Sequence, residues 1–321
     1  MKTIYLDKDS TEDLEPSVAT IGFFDGVHRG HRFLIGQVTD EARRRGLRSM
    51  VITFDQHPRQ VLQQNYQPQL LSTLENKLVL LSRTGVDYVV VVHFDLALAS
   101  LSAQQFMELI VRQQLRVKQL VIGYDNRFGH DRTEGFSDYV RYGREMGIDV
   151  VQSEPYLLHG VKISSSVVRS FIQAGEIEMV NECLGYPYTI EGKVVDGVKE
   201  GRRLGFPTAN LVPSSLTQLL PAAGVYGVKV RTEGSMTLRP GMTNIGMRPT
   251  FGGHHQTVET NIFDFEGNIY GQRLLLSFYC RIRNERRFDN VEQLIQQLRQ
   301  DRKDIEERFR HHDTIVPTSR D

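Results

Sequence analysis

The spacing of apolar residues changes character near Cys183–Pro187, and that change points to two folding units of different class. Before it, short apolar runs at Val18–Ile21, Ser49–Thr53, Tyr88–Val92 and Gln119–Ile122 alternate with stretches of helical periodicity. Leu74, Leu78 and Leu81 follow Ser72, whose partner Glu75 completes a capping-box pattern; Ser102 and Gln105 repeat the pattern before Phe106, Leu109 and Ile110. Alternation of this kind predicts a parallel sheet covered by helices, a Rossmann-like α/β domain. After the change come strand-like pieces at Tyr188–Val195, Gly224–Val230, Val258–Phe265 and Leu274–Ile282, separated by glycine-rich turns. These predict a small antiparallel β-barrel. A final helix is expected after Asp289, with Glu292 three residues on and Val291, Leu294, Ile295 and Leu298 as an apolar stripe for the barrel. The expected division is residues 1–184, residues 185–310, and a polar, disordered tail over 311–321.

Composition narrows the function classes. The 321 residues are enough for two hydrophobic cores. Lys and Arg number 39 and Asp and Glu 39, so no global field favours nucleic acid or a membrane surface. The cysteines, Cys183 and Cys280, lie far apart in sequence, which argues against a disulfide scaffold and for a reducing, cytoplasmic compartment. The N-terminus does not read as a signal peptide, and no apolar run approaches the length of a membrane span. The pattern carries no signal for an oligomeric state.

The densest chemistry lies at 22–31, Gly-Phe-Phe-Asp-Gly-Val-His-Arg-Gly-His, between the first apolar run and a helical pattern. A strand, a glycine-punctuated turn and a helix start in that order form a phosphate site. Glycine admits close approach to the backbone, and the helix start offers unpaired N–H groups. His28 and His31 share a helix face and can converge on one ligand. Zinc is one reading of a His-x-x-His pair, but Arg29 stands where a zinc protease needs glutamate, and no third ligand is near. A capped, solvated helix start is the bland alternative.

Other strings have equally plain alternatives. Ile163-Ser164-Ser165-Ser166-Val167-Val168-Arg169 is either a run of ordinary N-cap serines or a second phosphate-holding helix start. Gly123-Tyr124-Asp125-Asn126-Arg127-Phe128-Gly129 reads as a turn after a strand, and His57-Pro58 as another. In Gly201-Arg202-Arg203-Leu204-Gly205-Phe206-Pro207-Thr208-Ala209-Asn210, extended backbone puts Thr208 and Asn210 on one side. Their oxygens suit Mg²⁺. Glycine-flanked loops near Gly201 and Gly252 are candidates for closure on a substrate.

Taken together, these strings carry a resemblance. Residues 22–31 resemble the G-x-F-D-G-x-H-x-G-H signature of the nucleotidylyltransferases, and 163–169 resemble their I-S-S-T-x-x-R element, with Ser166 in place of threonine. Residues 123–129 are similar to G-x-D-F-R-F-G, with Asn126 in place of an aromatic, and His57-Pro58 fits F-x-x-H-P. Residues 201–210 resemble the riboflavin kinase signature. Gly224-Val225-Tyr226-Gly227, Asn244 to Phe251 and Val258-Glu259-Thr260 extend that match, with Asn261 where histidine is common. Both signatures occur in the order of the prokaryotic bifunctional riboflavin kinase/FMN adenylyltransferase (FAD synthetase) family.

The resemblance implies phosphorylation of riboflavin to FMN by ATP, then adenylylation of FMN to FAD, with Mg²⁺ assisting. It implies nucleotide contacts at Gly22, Phe23, Asp25, Gly26, Gly30, Ser165, Ser166, Gly201 and Gly205. It also implies flavin contacts at His57, Asp125 and Asn126, and Mg²⁺ ligands Thr208 and Asn210. His28, His31 and Arg169 are the expected charge stabilisers of adenylyl transfer, and Glu259 the expected base of the kinase. Rival readings are a monofunctional enzyme with one degenerate half and a flavin-binding regulator without turnover.

Overall fold

A computed structural model describes all residues except 7–12, 64, 131–132, 198–199, 214–216, 251–252 and 316–321. The chain divides into two compact units, Met1–Val167 and Val168–Asp321.

The first unit runs β1 (Lys2–Leu6), β2 (Ser17–Ile21), α1 (Arg29–Arg45), β3 (Arg48–Phe54), α2 (Pro58–Leu62), α3 (Leu74–Ser82) and β4 (Tyr88–Val92). It continues with the short α4 (Leu96–Ala99) and α5 (Ala103–Phe106), β5 (Val117–Ile122), α6 (Phe136–Met146) and β6 (Asp149–Gln152). A hairpin of β7 (Leu157–Leu158) and β8 (Val161–Lys162) leads to α7 (Ser165–Ala174), and the division between the units falls inside this helix. The sheet has six parallel strands in the order β1-β4-β3-β2-β5-β6. Its central strand β2 is buried at every residue, with Ala19 and Ile21 in one core cluster and Val18 in the other. From β2 the chain turns to β3 and β4 on one side, and β5 and β6 fill the other. The carboxyl ends of β2 and β5 therefore flank the switch point, where such sheets hold ligands.

Local chemistry explains the elements around that point. Helix α1 is capped by His28, carries Arg43, Arg44 and Arg45 where its dipole is negative, and stops at Gly46 in the left-handed region. Ser102 and Gln105 form the expected capping box at α5. The box expected from Ser72 and Glu75 does not form. Thr73 caps α3 by accepting from Asn76 N–H at 3.2 Å, because the Ser72 hydroxyl is occupied elsewhere.

The second unit runs α8 (Ile177–Leu184), β9 (Tyr188–Val195), α9 (Glu200–Arg203), β10 (Ala209–Pro213), β11 (Gly224–Thr232), β12 (Arg239–Thr250), β13 (Gly253–Ile262), β14 (Arg273–Arg283) and α10 (Val291–Ile315). Strands β9 to β14 close an antiparallel barrel in the order β10-β13-β12-β11-β14-β9. Tyr188, Ile190, Tyr226, Val228, Ile245, Val258, Leu276 and Phe278 are buried in alternation along their strands. Val225, Met242, Phe263 and Cys280 instead pack with Ile305 and Phe309 of α10.

Helix α10 departs from expectation in three ways. Its N-cap interaction comes from Asn290, which accepts from Gln293 N–H at 2.9 Å. Val291 is exposed, whereas Leu294, Ile295 and Leu298 are half-buried, and the buried stripe continues through Asp301, Ile305 and Phe309, with a carboxylate in its middle. The helix also continues through the first part of the expected tail, to Ile315. Residues 316–321 of that tail, and Phe251 and Gly252, lie outside the described residues.

Candidate active sites

In the first unit the loop after β2 is held in an unusual backbone conformation. Phe24 and Val27 have φ of 53° and 36°, and Gly26 has φ of 69°. Phe24 and Val27 bear the strain of the left-handed region, and strain of this kind persists where the surroundings fix it. The fixing group is Asp25. Its buried carboxylate accepts from Leu71 N–H at 2.9 and 3.0 Å and from Ser72 N–H at 3.1 Å, and the Ser72 hydroxyl accepts from Gly26 N–H at 3.1 Å. Asp25, expected among the nucleotide contacts, is thus turned inward to hold the loop.

The loop delivers both histidines to one place. The rings of His28 and His31 stack with centroids 3.6 Å apart, and His28 Nδ1 accepts from His31 N–H at 3.3 Å as the cap of α1. A Cβ on Gly30 would come within 3.1 to 3.2 Å of the Ile163 carbonyl and the His28 ring, so glycine gives these parts room to close up. The start of α7 docks against the same turn. Ser165 donates its hydroxyl to the Asp25 carbonyl at 3.2 Å, and Ser164 caps the helix by accepting from Val167 N–H at 3.3 Å. Ser166 is exposed, and Arg169 follows one turn further along α7. His28, His31, Gly30 and Ser165 are therefore brought together by the fold.

The neighbouring strand ends carry an aromatic group. The Phe23 ring meets the His57 ring edge-on at 4.9 Å, and His57 lies 5.4 Å from the Tyr66 ring. His57 also caps α2, its Nδ1 accepting from Arg59 N–H at 3.2 Å. Behind Phe23 sits Lys77, only 3% exposed, on the buried stripe of α3. Its ammonium donates to the carbonyls of Phe23 and Phe54 at 3.1 and 2.8 Å and to the Thr53 hydroxyl at 3.2 Å. Burial pushes the Lys77 amine down to about 8, against the opposing pull of Asp25 and Asp55. After β5, the Asn126 amide donates to the Ile21 carbonyl at the end of β2, which joins the two loops of the switch point. Asp125 is exposed beside it.

In the second unit a cavity of about 350 Å³ opens between the outer wall of the barrel and α10. Gly201, Phe206, Thr208 and Glu259 line it, as do Arg283 and Phe288. Glu259 on β13 lies opposite Asn210 on β10 and Asn244 on β12. Asn244 donates to the Glu285 carboxylate at 3.1 Å. A smaller cavity of about 70 Å³ includes Arg202, Pro207, Phe265 and Tyr270, and Thr208 borders both. Asn210 and Gly205 border neither, and Gly205 occupies a positive-φ turn. Asn261 holds the approach to Thr208, its amide donating to the Pro207 carbonyl at 2.7 Å. The Arg283 guanidinium is fixed by Asp301, fully buried on α10, with contacts of 2.8 to 3.0 Å, and Gln297 donates to the same carboxylate.

Comparison with known proteins bears on both sites. The family model for FAD synthetase matches residues 10–167, and that for riboflavin kinase matches residues 184–309. A bifunctional riboflavin kinase/FMN adenylyltransferase from Escherichia coli strain K12 is 40% identical over 287 residues, covering 89% of this chain and 91% of that protein. The chain belongs to the bifunctional riboflavin kinase/FMN adenylyltransferase family. A member from Listeria monocytogenes is 38% identical over 95% of this chain and 97% of its own length. A solved structure from Streptococcus pneumoniae has a TM-score of 0.85 and 33% identity over 94% of this chain and 97% of that one. That structure is described as a macrolide-efflux protein. Among the described residues here, no helix is long and apolar enough to cross a membrane.

As a riboflavin kinase/FMN adenylyltransferase, the protein uses ATP to convert riboflavin to FMN and FMN to FAD. Two polar devices in its domains escape a reading of the sequence: Lys77 behind Phe23, and the Arg283–Asp301 pair beside the kinase-domain cavity. Each leaves the same signal, a charged residue at a core position of an amphipathic helix. Lys77 falls between Leu74 and Leu81, and Asp301 between Leu298 and Ile305.

Proposed function

We propose that adenylyl transfer takes place at the turn joining β2 to α1, and riboflavin phosphorylation in the cavity between the barrel and α10. We assign residues 1–184 to the first activity and 185–310 to the second, and we take the protein to work in the cytoplasm on small molecules, without a nucleic-acid or membrane partner.

For adenylyl transfer, an FMN phosphate oxygen attacks the α-phosphorus of ATP and pyrophosphate leaves. The nucleophile is already anionic, so the site needs orientation and charge stabilisation rather than a base. The stacked His28 and His31, with Ser165, Ser166 and Arg169 at the start of α7, supply donors and positive charge for the phosphates. Gly22, Gly26 and Gly30 let the phosphates approach the backbone. Phe23, expected among the nucleotide contacts, meets the His57 ring edge-on, and we assign the two rings together as aromatic surface for the flavin, with Asp125 beyond them. Asn126 acts by holding its loop to β2.

For phosphorylation, the riboflavin 5′-hydroxyl is neutral and must lose its proton as it meets the γ-phosphate. Glu259 takes that proton. The observation that carries this assignment is that Glu259 and Thr208 share the wall of one cavity, with Asn210 opposite Glu259 on the next strand. The cavity's volume suits a ring system with a chain attached. Thr208 and Asn210 fit a magnesium ion by their donor chemistry, one hydroxyl and one amide oxygen, for a cation that keeps phosphate and water ligands. A Cβ on Gly197 would overlap the Asn210 amide, and one on Gly201 would run into the Phe206 carbonyl beside Thr208, so both side chains sit against bare glycine backbone. When bound, Mg²⁺ neutralises phosphate charge. Gly201 and Gly205 flank the turn that closes over the nucleotide.

The test is product analysis by chromatography with riboflavin and Mg²⁺-ATP. Wild type yields FMN and then FAD. His28→Ala yields FMN without FAD, and Glu259→Gln makes FAD only when FMN is supplied. Loss of both activities in either variant would count against separate sites.

A further inference from the structure

We propose that Lys77 is a positioning residue for FMN in the adenylyl-transfer reaction, acting through the Phe23 and His57 rings. The proposal rests on the reading of those rings as the flavin surface, and the experiment below separates the two.

The geometry is that of a pin. The Lys77 ammonium donates to the Phe23 carbonyl, which follows β2, and to the Phe54 carbonyl, the last residue of β3, at 3.1 and 2.8 Å. Its third acceptor, the Thr53 hydroxyl, itself donates to the Phe23 carbonyl at 3.1 Å. One buried cation thus ties together the two strand ends from which the phosphate loop and the His57 loop depart. The same ammonium lies 4.2 Å from the centroid of the Phe23 ring. A cation on one side of an aromatic ring holds that ring in place by its quadrupole. On the Phe23 ring also bears the edge of His57, at 4.9 Å. Lys77 therefore fixes the height and tilt of the rings without itself presenting a surface to substrate.

The energetics favour a positioning role over a stabilising one. Among the described residues, no carboxylate makes an ion pair with Lys77, and its acceptors are two carbonyls and a hydroxyl. A buried charge held only by dipoles costs free energy that an apolar side chain on the same helix stripe would not. Asp25 and Asp55 act on it only at longer range.

The experiment measures KM for FMN and for ATP separately in the adenylyl-transfer assay, with riboflavin phosphorylation by the same preparation as a control. The variants are Lys77→Met, Thr53→Val, Phe23→Leu and His57→Ala. For Lys77→Met the expected result is a rise in KM for FMN of about tenfold or more, with KM for ATP and riboflavin phosphorylation within about twofold of wild type. Lys77→Arg, which keeps the charge, is expected to restore part of the loss. Equal rises in both KM values, or no rise in either, would overturn the proposal. Should Lys77→Met unfold the first domain by circular dichroism, Thr53→Val decides. It removes one acceptor and leaves the cation, so KM for FMN should rise about threefold alone, and an unchanged KM for FMN would overturn the proposal. If Phe23→Leu and His57→Ala raise KM for FMN while Lys77→Met does not, the ring surface stands and the role of Lys77 falls. If neither ring variant moves KM for FMN, the ring surface falls, and the proposal with it.

Discussion

Ser72 donates its backbone N–H to the Asp25 carboxylate at 3.1 Å, while its hydroxyl accepts the N–H of Gly26, the next residue in the loop, at 3.1 Å. Asp25 and Ser72 therefore close a reciprocal clasp over 46 to 47 residues of sequence. The aspartate of the family's G-x-F-D-G string is a structural member of the site. It makes the left-handed turn at Phe24–Val27 tolerable so that the helix after it can present two histidines.

Replacing Asp25 by alanine strands the buried N–H groups of Leu71 and Ser72. Each buried donor left unpaired costs about 1–3 kcal/mol, so Asp25→Ala should destabilise the adenylyltransferase domain by about 3 kcal/mol. Hydrogen exchange of the β2 and β3 amides will show this directly. Riboflavin phosphorylation in the other domain should be retained, and if exchange in β2 stays at the wild-type rate the clasp is not what holds the loop.

His28 has two duties that substitution can separate. Its Nδ1 caps α1, and its ring stacks on His31. Asparagine keeps a capping acceptor and removes the ring, whereas alanine removes both; loss of a cap costs about 1 kcal/mol. His28→Asn keeps the cap and should be less destabilised than His28→Ala, yet lose about 100-fold in the rate of FAD formation at saturating ATP. Near-normal turnover in His28→Asn would assign the histidine to holding the loop alone.

The parts of the fold that the sequence makes legible are those whose burial is decided locally. Val18–Ile21, broken only by Thr20, and Tyr88–Val92 are nearly continuous apolar runs because their strands are covered on both faces. Strands β1 and β6 lie at the sheet edges, and β6 is mostly exposed, so neither shows such a run. Strand β12 contains Pro240, Gly241, Gly246 and Pro249, which hide its period although it runs from Arg239 to Thr250. Glycines and histidines of the site are legible because close approach and capping are local needs. The inward turn of Asp25, the burial of Lys77 and the pairing of Asp301 are not, because each depends on partners brought from 18 to 54 residues away by the tertiary fold.

Lys77 should also leave a mark on stability at alkaline pH. Its amine falls from an ordinary value near 10.5 to about 8 in the folded protein. The folded state therefore releases this proton first, and between those values the unfolded state binds more protons. Stability accordingly rises with pH across that window, and the adverse contribution is fully present below about 8. The gain reaches about 3 kcal/mol by pH 10.5. It should appear as the difference between wild type and Lys77→Met in denaturant unfolding followed by circular dichroism at pH 7, 8, 9 and 10. Parallel curves for the two proteins would show that the amine titrates normally.

Glu259→Gln preserves shape and hydrogen-bonding capacity while removing the base. Riboflavin phosphorylation should fall by about 100- to 10,000-fold, with FMN adenylylation unchanged and thermal unfolding shifted little. A variant that phosphorylates riboflavin at the wild-type rate would remove Glu259 from the mechanism.

The Arg283–Asp301 pair separates stability from binding in the kinase domain. Asp301 is fully buried, and its carboxylate meets the Arg283 guanidinium at 2.8 to 3.0 Å beside the cavity. Removing the carboxylate alone leaves a largely buried cation without its counter-charge, at a cost of about 3–5 kcal/mol. Asp301→Leu should therefore lower the melting temperature of the barrel strongly. Replacing both partners, in Arg283→Met with Asp301→Leu, should return most of that stability, because an apolar pair of similar volume needs no desolvation of charge. Riboflavin KM should stay raised in the double variant, since Arg283 lines the cavity and its cation is gone. Recovery of riboflavin KM together with stability would show that the pair serves packing of α10 and contributes nothing to the flavin.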